Sequence, residues 1–276
     1  MMQHIPDKLK DQHIIVDQSV IGMIISAAAL TKQDRVLEIG GGPGNLTKAI
    51  AVHAGAVYTV EKDPAYISGL KRDFRGSSIV RIIEGDALSV KLPEFNKIVS
   101  NPPYKILQPF FFRLLHERKH NFSECVTTAP YGFSRLASAK PGSIDFGVMS
   151  AFFYGFYDVE VIAELKNDVF RPEPRVTSCI LKIAPKAADS PLSYILRLMF
   201  LEDGRKIGST LLDALWNNGK LIFQKKITKN EVRQILNKLL EGKQKKQMLE
   251  KRVFQLSNAE MASLAESILI MTLAAA

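Results

Sequence analysis

Apolar residues recur along this chain with two different spacings. Between residues 36 and 100, short apolar runs end one after another in a glycine or polar residue: Val36-Leu-Glu-Ile39 before Gly40, Ala56-Val-Tyr-Thr-Val60 before Glu61, Ile79-Val-Arg-Ile-Ile83 before Glu84-Gly85-Asp86-Ala87, and Lys97-Ile-Val-Ser100 before Asn101. Runs this short and apolar read as strands buried on both faces. Stretches with helical spacing lie between them: residues 19–30, with Val20, Ile21, Ile24, Ile25 and Ala28 on one face, then 45–53, 64–74 and 108–118. Strands alternating with helices predict a doubly wound, Rossmann-like α/β fold.

Glu124-Cys-Val-Thr-Thr128 reads as strand five. The β-prone, aromatic-rich stretch 146–165, carrying Phe152, Phe153, Tyr154, Phe156 and Tyr157, and the run 177–183 read as strands six and seven, the antiparallel end of a seven-stranded sheet. After Ala184-Pro-Lys-Ala-Ala-Asp-Ser-Pro191 the spacing is helical throughout, over 192–201, 205–216, 229–240 and 258–273. Two domains are expected, an α/β domain over 1–184 and a small all-helical one over 191–276.

The strand ends carry the candidate chemistry. Gly40-Gly-Gly-Pro-Gly44 does not fit the dinucleotide pattern G-x-G-x-x-G, because Asn45 or Thr47 falls at the last place. The arrangement Glu38-x-Gly40-x-Gly42-x-Gly44 resembles instead the first motif of class I S-adenosylmethionine-dependent methyltransferases. Glu61 at the tip of strand two is placed to accept from both hydroxyls of a ribose. Asp86 can accept from an exocyclic adenine amine, and Ala87 leaves room for the ring. Asn101-Pro102-Pro103-Tyr104 offers an amide, a fixed backbone carbonyl and an aromatic ring on a backbone stiffened by two prolines, parts suited to holding a planar amine. Taken alone it is equally a stiff strand-ending turn.

Composition narrows the classes. No run approaches the roughly 18 apolar residues of a membrane span, and the polar stretch Met1 to Lys10 lacks a signal-peptide apolar region, so a soluble cytoplasmic protein is expected. Cys125 and Cys179 stand in apolar surroundings without a second ligand at metal spacing, and read as buried thiols. The net charge is +9, with 14 Lys and Arg against 8 Asp and Glu from Pro191 onward. A polyanion partner fits that bias, as does a merely solvated basic surface. His53, His116 and His120 read as helix-surface or helix-end residues, and only His13 sits in a motif.

Together the motifs resemble the ribosomal RNA adenine N6,N6-dimethyltransferases of the universal small-subunit type. The likeness runs through Gln12-His-Ile-Ile-Val-Asp17, Glu38 to Thr47, Glu61-Lys-Asp63, Gly85-Asp-Ala87, Asn101-Pro-Pro-Tyr-Lys-Ile106, Ala139-Lys-Pro-Gly142, Phe170-Arg-Pro-Glu-Pro-Arg-Val176 and Phe200-Leu-Glu-Asp-Gly-Arg-Lys206. It implies an S-adenosylmethionine pocket lined by His13, Ile15, Gly40, Glu61, Asp86 and Asn101, with Glu38, Gly42 and Ala87 in the same binding set. Asn101, the Pro102 carbonyl and Tyr104 would hold the target adenine, and Phe170 would close the pocket on the base's other side. No metal is implied. The family adds two methyls to each of two adjacent adenosines in the loop of the last small-subunit rRNA helix. The implied partner is small-subunit rRNA or a small-subunit precursor, met by a monomer.

Two departures stand out. Pro102 replaces the family's usual Leu, and Ala129-Pro-Tyr-Gly-Phe133 replaces its Gln-Lys-Glu-like segment. Rival readings are methylation of DNA adenine or of a protein glutamine amide, and a non-catalytic RNA-binding assembly factor.

Overall fold

The computed structural model describes residues 12–117, 122–239 and 242–274. The N-terminal stretch through Asp11, the helix ends expected at Arg118 and Leu240, and His120 lie outside them.

Among the described residues the first elements are β1 (Ile14–Ile15) and α1 (Gln18–Ala28). The Asp17 carboxylate accepts from the Ser19 amide at 2.7 Å and fixes the start of α1. Next come β2 (Arg35–Ile39), α2 (Asn45–His53), β3 (Ala56–Glu61), α3 (Pro64–Asp73), β4 (Val80–Glu84) and β5 (Lys97–Ser100). A single turn over Tyr104–Ile106 leads into α4 (Leu107–Glu117), followed by β6 (Glu124–Pro130) and α5 (Tyr131–Ser138). The divergent segment 129–133 is therefore the seam between β6 and α5, with no intervening loop.

Next in order are α6 (Val148–Phe156), β7 (Tyr157–Leu165), β8 (Phe170–Arg171) and β9 (Ser178–Pro185). Seven strands form one sheet in the order β4-β3-β2-β5-β6-β9-β7. β4, β3, β2, β5 and β6 run parallel, and β9 joins β6 antiparallel. This is the expected Rossmann-like sheet. Strand order reverses between β2 and β5, so a crevice opens beyond their carboxyl ends. Against the sheet, α1 and α2 bury Val20, Ile21, Ile24, Leu46 and Ile50 in a continuous apolar cluster with Val36, Val57 and Val99. Each such side chain is worth about 1.5–3 kcal/mol when fully buried.

One stretch differs from expectation. Of residues 146–165, only β7 is strand, and 148–156 are helical. Phe152 and Phe156 fall one turn apart on α6, their rings 5.4 Å apart. Phe152 also meets Phe200 at 5.5 Å. Aromatic residues raise strand propensity only where a sheet surface receives them; here helical packing does so instead. The helix start is fixed by Asn258, whose side-chain oxygen accepts from the Val148 amide at 3.1 Å, close over the bare Cα of Gly147.

The helices after the linker are α7 (Pro191–Leu201), α8 (Ile207–Asn217), α9 (Gly219–Phe223), α10 (Lys229–Leu239), α11 (Lys243–Glu250) and α12 (Asn258–Ala274). Ser190 and Ser193 form a capping box at the start of α7, with Pro191 in the first turn. Two compact units emerge. One comprises Met1–Ser134 and Val159–Pro185, the other Arg135–Asp158 and Lys186–Ala276. A division into 1–184 and 191–276 leaves Arg135–Asp158 in the first unit, whereas its packing, through α6, puts it with the helices. No helix among the described residues is long and apolar enough to cross a membrane.

Candidate active site

A cavity of about 300 Å³ opens at the carboxyl ends of the parallel strands. Its floor is the turn after β2. Gly40, Gly42 and Gly44 all have positive φ, at 77°, 51° and 85°, which side chains with a Cβ rarely adopt. A Cβ on Gly40 would meet Pro103 Cδ at 3.5 Å and Pro102 Cα at 3.8 Å, so the glycine turn and the proline tetrapeptide lie in near contact.

Glu61 ties the turn to β3. One carboxylate oxygen accepts from the Gly42 amide at 2.9 Å, and the other from the amides of Lys62 and Asp63, each at 2.8 Å. The carboxylate faces the cavity already oriented. Farther along the rim, Asp86 and Ala87 follow Gly85 and line the same space. The Leu88 amide, together with the Lys62 ammonium 3.3 Å away, holds the Asp86 carboxyl below its ordinary range despite partial burial. Arg113, on α4, donates to the carbonyls of Ala87 at 2.5 Å and Val90 at 2.6 Å and pairs with Glu117 at 2.6 Å, clamping that loop from behind.

Asn101 closes the rim. Its amide nitrogen donates to the His13 carbonyl at 2.7 Å, and its amide oxygen accepts from the Thr128 hydroxyl at 2.5 Å. The Tyr104 hydroxyl is hydrogen-bonded to that of Ser178 on β9. The Tyr104 ring lies 5.8 Å from the His13 ring at 31°. His13 itself is held by its ring nitrogen on the Pro172 carbonyl at 2.8 Å.

Of the residues singled out from sequence, His13, Gly40, Gly42, Glu61, Asp86, Ala87 and Asn101 line the cavity. Ile15, Glu38, Pro102, Tyr104 and Phe170 are not among its lining residues. Three of these need a corrected role. Phe170 is wholly buried in the apolar cluster with Ile15 and Leu165, so it closes no pocket. It pairs with Ile15 in the two-stranded sheet β1–β8 and thereby holds His13 in place. Ile15 is likewise core, and its carbonyl accepts from the Asn45 side chain at 3.1 Å. Glu38 lies beneath the glycine turn, where it accepts from the Thr47 hydroxyl at 2.6 Å. Burial pushes its carboxyl up to about 8, the Thr47 hydrogen bond acting in the opposite direction.

Sequence reading passed over Thr128, Ser178, Arg113 and Lys62. Hydroxyl residues in strands and a basic residue on a helix carry no local signal; only the register that brings them to the rim reveals them.

The cavity fits a nucleoside-containing ligand. Its volume is at the lower bound of small-molecule sites. A preoriented carboxylate for a diol and a second for an amine stand about it, and the glycine turn admits close backbone approach.

Comparison with known proteins bears on the ligand. Residues 7–251 match the family model described as ribosomal RNA adenine dimethylase. A Methanosarcina mazei protein named "Probable ribosomal RNA small subunit methyltransferase A" is 34% identical over 94% of this chain and 91% of its own length. One of the same name from Methanothermobacter thermautotrophicus is 35% identical over 93% and 89%. Among solved structures, a dimethyladenosine transferase from Plasmodium falciparum matches with a TM-score of 0.63 at 25% identity, over 94% of this chain and 98% of that one. The 23S rRNA methyltransferase ErmE shares the fold, with a TM-score of 0.60 at 20% identity over 95% and 99%.

Proposed function

The chain belongs to the ribosomal RNA adenine dimethylase family and is an S-adenosylmethionine-dependent rRNA adenine dimethyltransferase; from that premise we propose that it dimethylates two adjacent adenosines in the 3′-terminal helix loop of small-subunit rRNA during subunit assembly. The observation that carries the site assignment is the single rim on which Gly40, Glu61, Asp86 and Asn101 meet.

In this reading Glu61 accepts from the ribose hydroxyls and Asp86 from the adenine amine of the cofactor, with Ala87 beside the ring. Gly40 and Gly42 let the backbone approach, and His13 covers the space from the β1 side. The bound cofactor supplies an electrophilic methyl group on a sulfonium sulfur. The target N6 is a poor nucleophile because its lone pair is delocalised into the purine. The Asn101 side-chain oxygen and the Pro102 carbonyl accept from that amine and favour a pyramidal nitrogen with a localised pair. So held, the nitrogen would be presented with its lone pair free for the methyl that the cofactor would supply, and the amine proton would leave to water. Orientation and preorganised dipoles supply most of the rate. Tyr104 stacks on the target base, which is unpaired in an RNA loop and inexpensive to extrude.

The choice of small-subunit RNA is supported by the names of the curated relatives, and an RNA partner by the basic C-terminal region; ErmE shares the fold with a different rRNA in its name. The protein is proposed to act as a cytoplasmic monomer. Incubation with labelled S-adenosylmethionine and, separately, unmodified small subunits, large subunits, duplex DNA and a protein bearing an exposed glutamine tests this. Label recovered as N6,N6-dimethyladenosine from small-subunit rRNA, mapped to two neighbouring positions, is expected. Incorporation confined to another substrate overturns the assignment.

A further inference from the structure

The Asn101 amide has two chemically opposite ends, and only one can receive an amine proton. An amide rotated by half a turn presents N–H groups to the substrate N–H and holds nothing. One neighbour fixes which end points where, and a second holds the oxygen so placed. The His13 carbonyl can only accept, so the end facing it at 2.7 Å is the nitrogen. The oxygen therefore faces Thr128, whose hydroxyl donates to it at 2.5 Å. A carbonyl oxygen has two acceptor directions. Thr128 takes one and leaves the other for the substrate amine.

Thr128 arrives there through the sheet. β5 and β6 pair in parallel with Ser100 opposite Thr127, so Asn101 and Thr128 follow one step later on the opposite face of the strands. Thr128 is wholly buried, where bulk water cannot replace a lost partner, and its own backbone oxygen is taken by the Thr127 hydroxyl at 3.1 Å. A hydroxyl so placed has a defined direction before any ligand enters.

We propose that Thr128 is a positioning residue for methyl transfer: its hydroxyl locks the Asn101 amide with the oxygen turned toward the target amine. The inference rests on the reading that Asn101 accepts from that amine. It adds that strand β6 supplies part of the specificity for a hydrogen-bond donor at the reacting nitrogen. Thr128 is not among the residues lining the cavity, so its effect falls on the transfer step.

The test is single-turnover and steady-state transfer to small subunits by Thr128→Val, Thr128→Ala, Thr128→Ser and Asn101→Ala, with S-adenosylmethionine affinity measured by calorimetry and folding by thermal denaturation. Thr128→Val keeps volume and removes the hydroxyl; Thr128→Ala is the second hydroxyl-free variant should the first fold poorly. Expected is a fall in kcat of about ten- to a hundredfold in the hydroxyl-free variants, as for a slightly misplaced reacting group. Cofactor affinity should change less than about twofold, and Thr128→Ser should recover most of the rate. Wild-type kcat in Thr128→Val or Thr128→Ala alongside an impaired Asn101→Ala overturns the proposal alone. An equal loss in Thr128→Ser overturns the hydroxyl's role in favour of packing. Wild-type turnover in Asn101→Ala removes the underlying reading instead.

Discussion

Tyr104 has two chemically distinct parts, the ring proposed to stack on the target base and a hydroxyl tethered to Ser178. Tyr104→Ala removes the platform, worth about 1–3 kcal/mol per stacked base. Tyr104→Phe keeps the platform and releases the tether, a loss of about 0.5–1.5 kcal/mol. Steady-state kinetics with RNA should therefore show a larger rise in KM for the alanine variant; equal effects would assign the hydroxyl the main role. Glu38 gives a pH signature. Its folded-state value near 8 lies above its ordinary 4.5, so the folded chain holds the proton more tightly than the unfolded one. This contribution is fully present below pH 4.5 and is lost as pH rises through 8. Denaturation of wild type and Glu38→Gln across that window should show wild type losing stability relative to the variant with rising pH, and parallel curves would refute the buried, protonated carboxyl. Asn101 and Glu61 were legible in the sequence because each ends an apolar run. Thr128 and Ser178 were not, since hydroxyls inside strands look like ordinary strand formers.

At the scale of elements, the succession of the parallel strands along the chain and the place of the glycine turn could be read from hydrophobic runs because a parallel sheet buries both faces. The pair β1–β8 could not: each strand has two residues, and their pairing joins segments far apart in sequence. For the same reason Phe170 looked like a pocket wall when it is the core residue behind one. The stretch 148–156 misleads through composition, its aromatic residues suiting a sheet that is not there. Elements also brace one another across the site. Arg113 ties α4, the helix following the proline tetrapeptide, to the loop bearing Asp86 and Ala87. Arg113→Met keeps the aliphatic stem and frees both carbonyls. Hydrogen bonds from a charged group contribute about 1.5–3 kcal/mol. The expected outcome is a rise of roughly tenfold or more in KM for S-adenosylmethionine with little change in kcat, read from initial rates at saturating RNA. A change confined to kcat would place Arg113 in the transfer step.

Across the whole molecule, charge is the property most directly visible in the sequence and least tied to the fold. The excess of Lys and Arg after Pro191 is shared between the helices and the turns that join them, where Lys225 and Lys226 are exposed between α9 and α10. If those helices meet RNA phosphates, affinity for the subunit should fall steeply as salt rises, while cofactor affinity stays nearly constant. Lys225→Glu with Lys226→Glu should weaken RNA binding and flatten that salt slope, as filter binding over a range of salt would measure; an unchanged slope would place the RNA contacts elsewhere. The linker 184–191 marked one passage between units. The other two, near residues 135 and 158, fall inside α5 and β7, where no break in composition announces them.

The pairing of Ile14 with Arg171 has a consequence for how the enzyme comes into being. Contacts between distant parts of a chain form late, after the entropy of closing the intervening loop has been met. During synthesis the glycine turn, Glu61 and Asp86 can assemble once β5 has emerged, but His13 has no strand to dock on until β8 follows. Nascent chains halted before Arg171 should therefore bind S-adenosylmethionine poorly, and competence should appear abruptly once β8 has emerged to pair with β1.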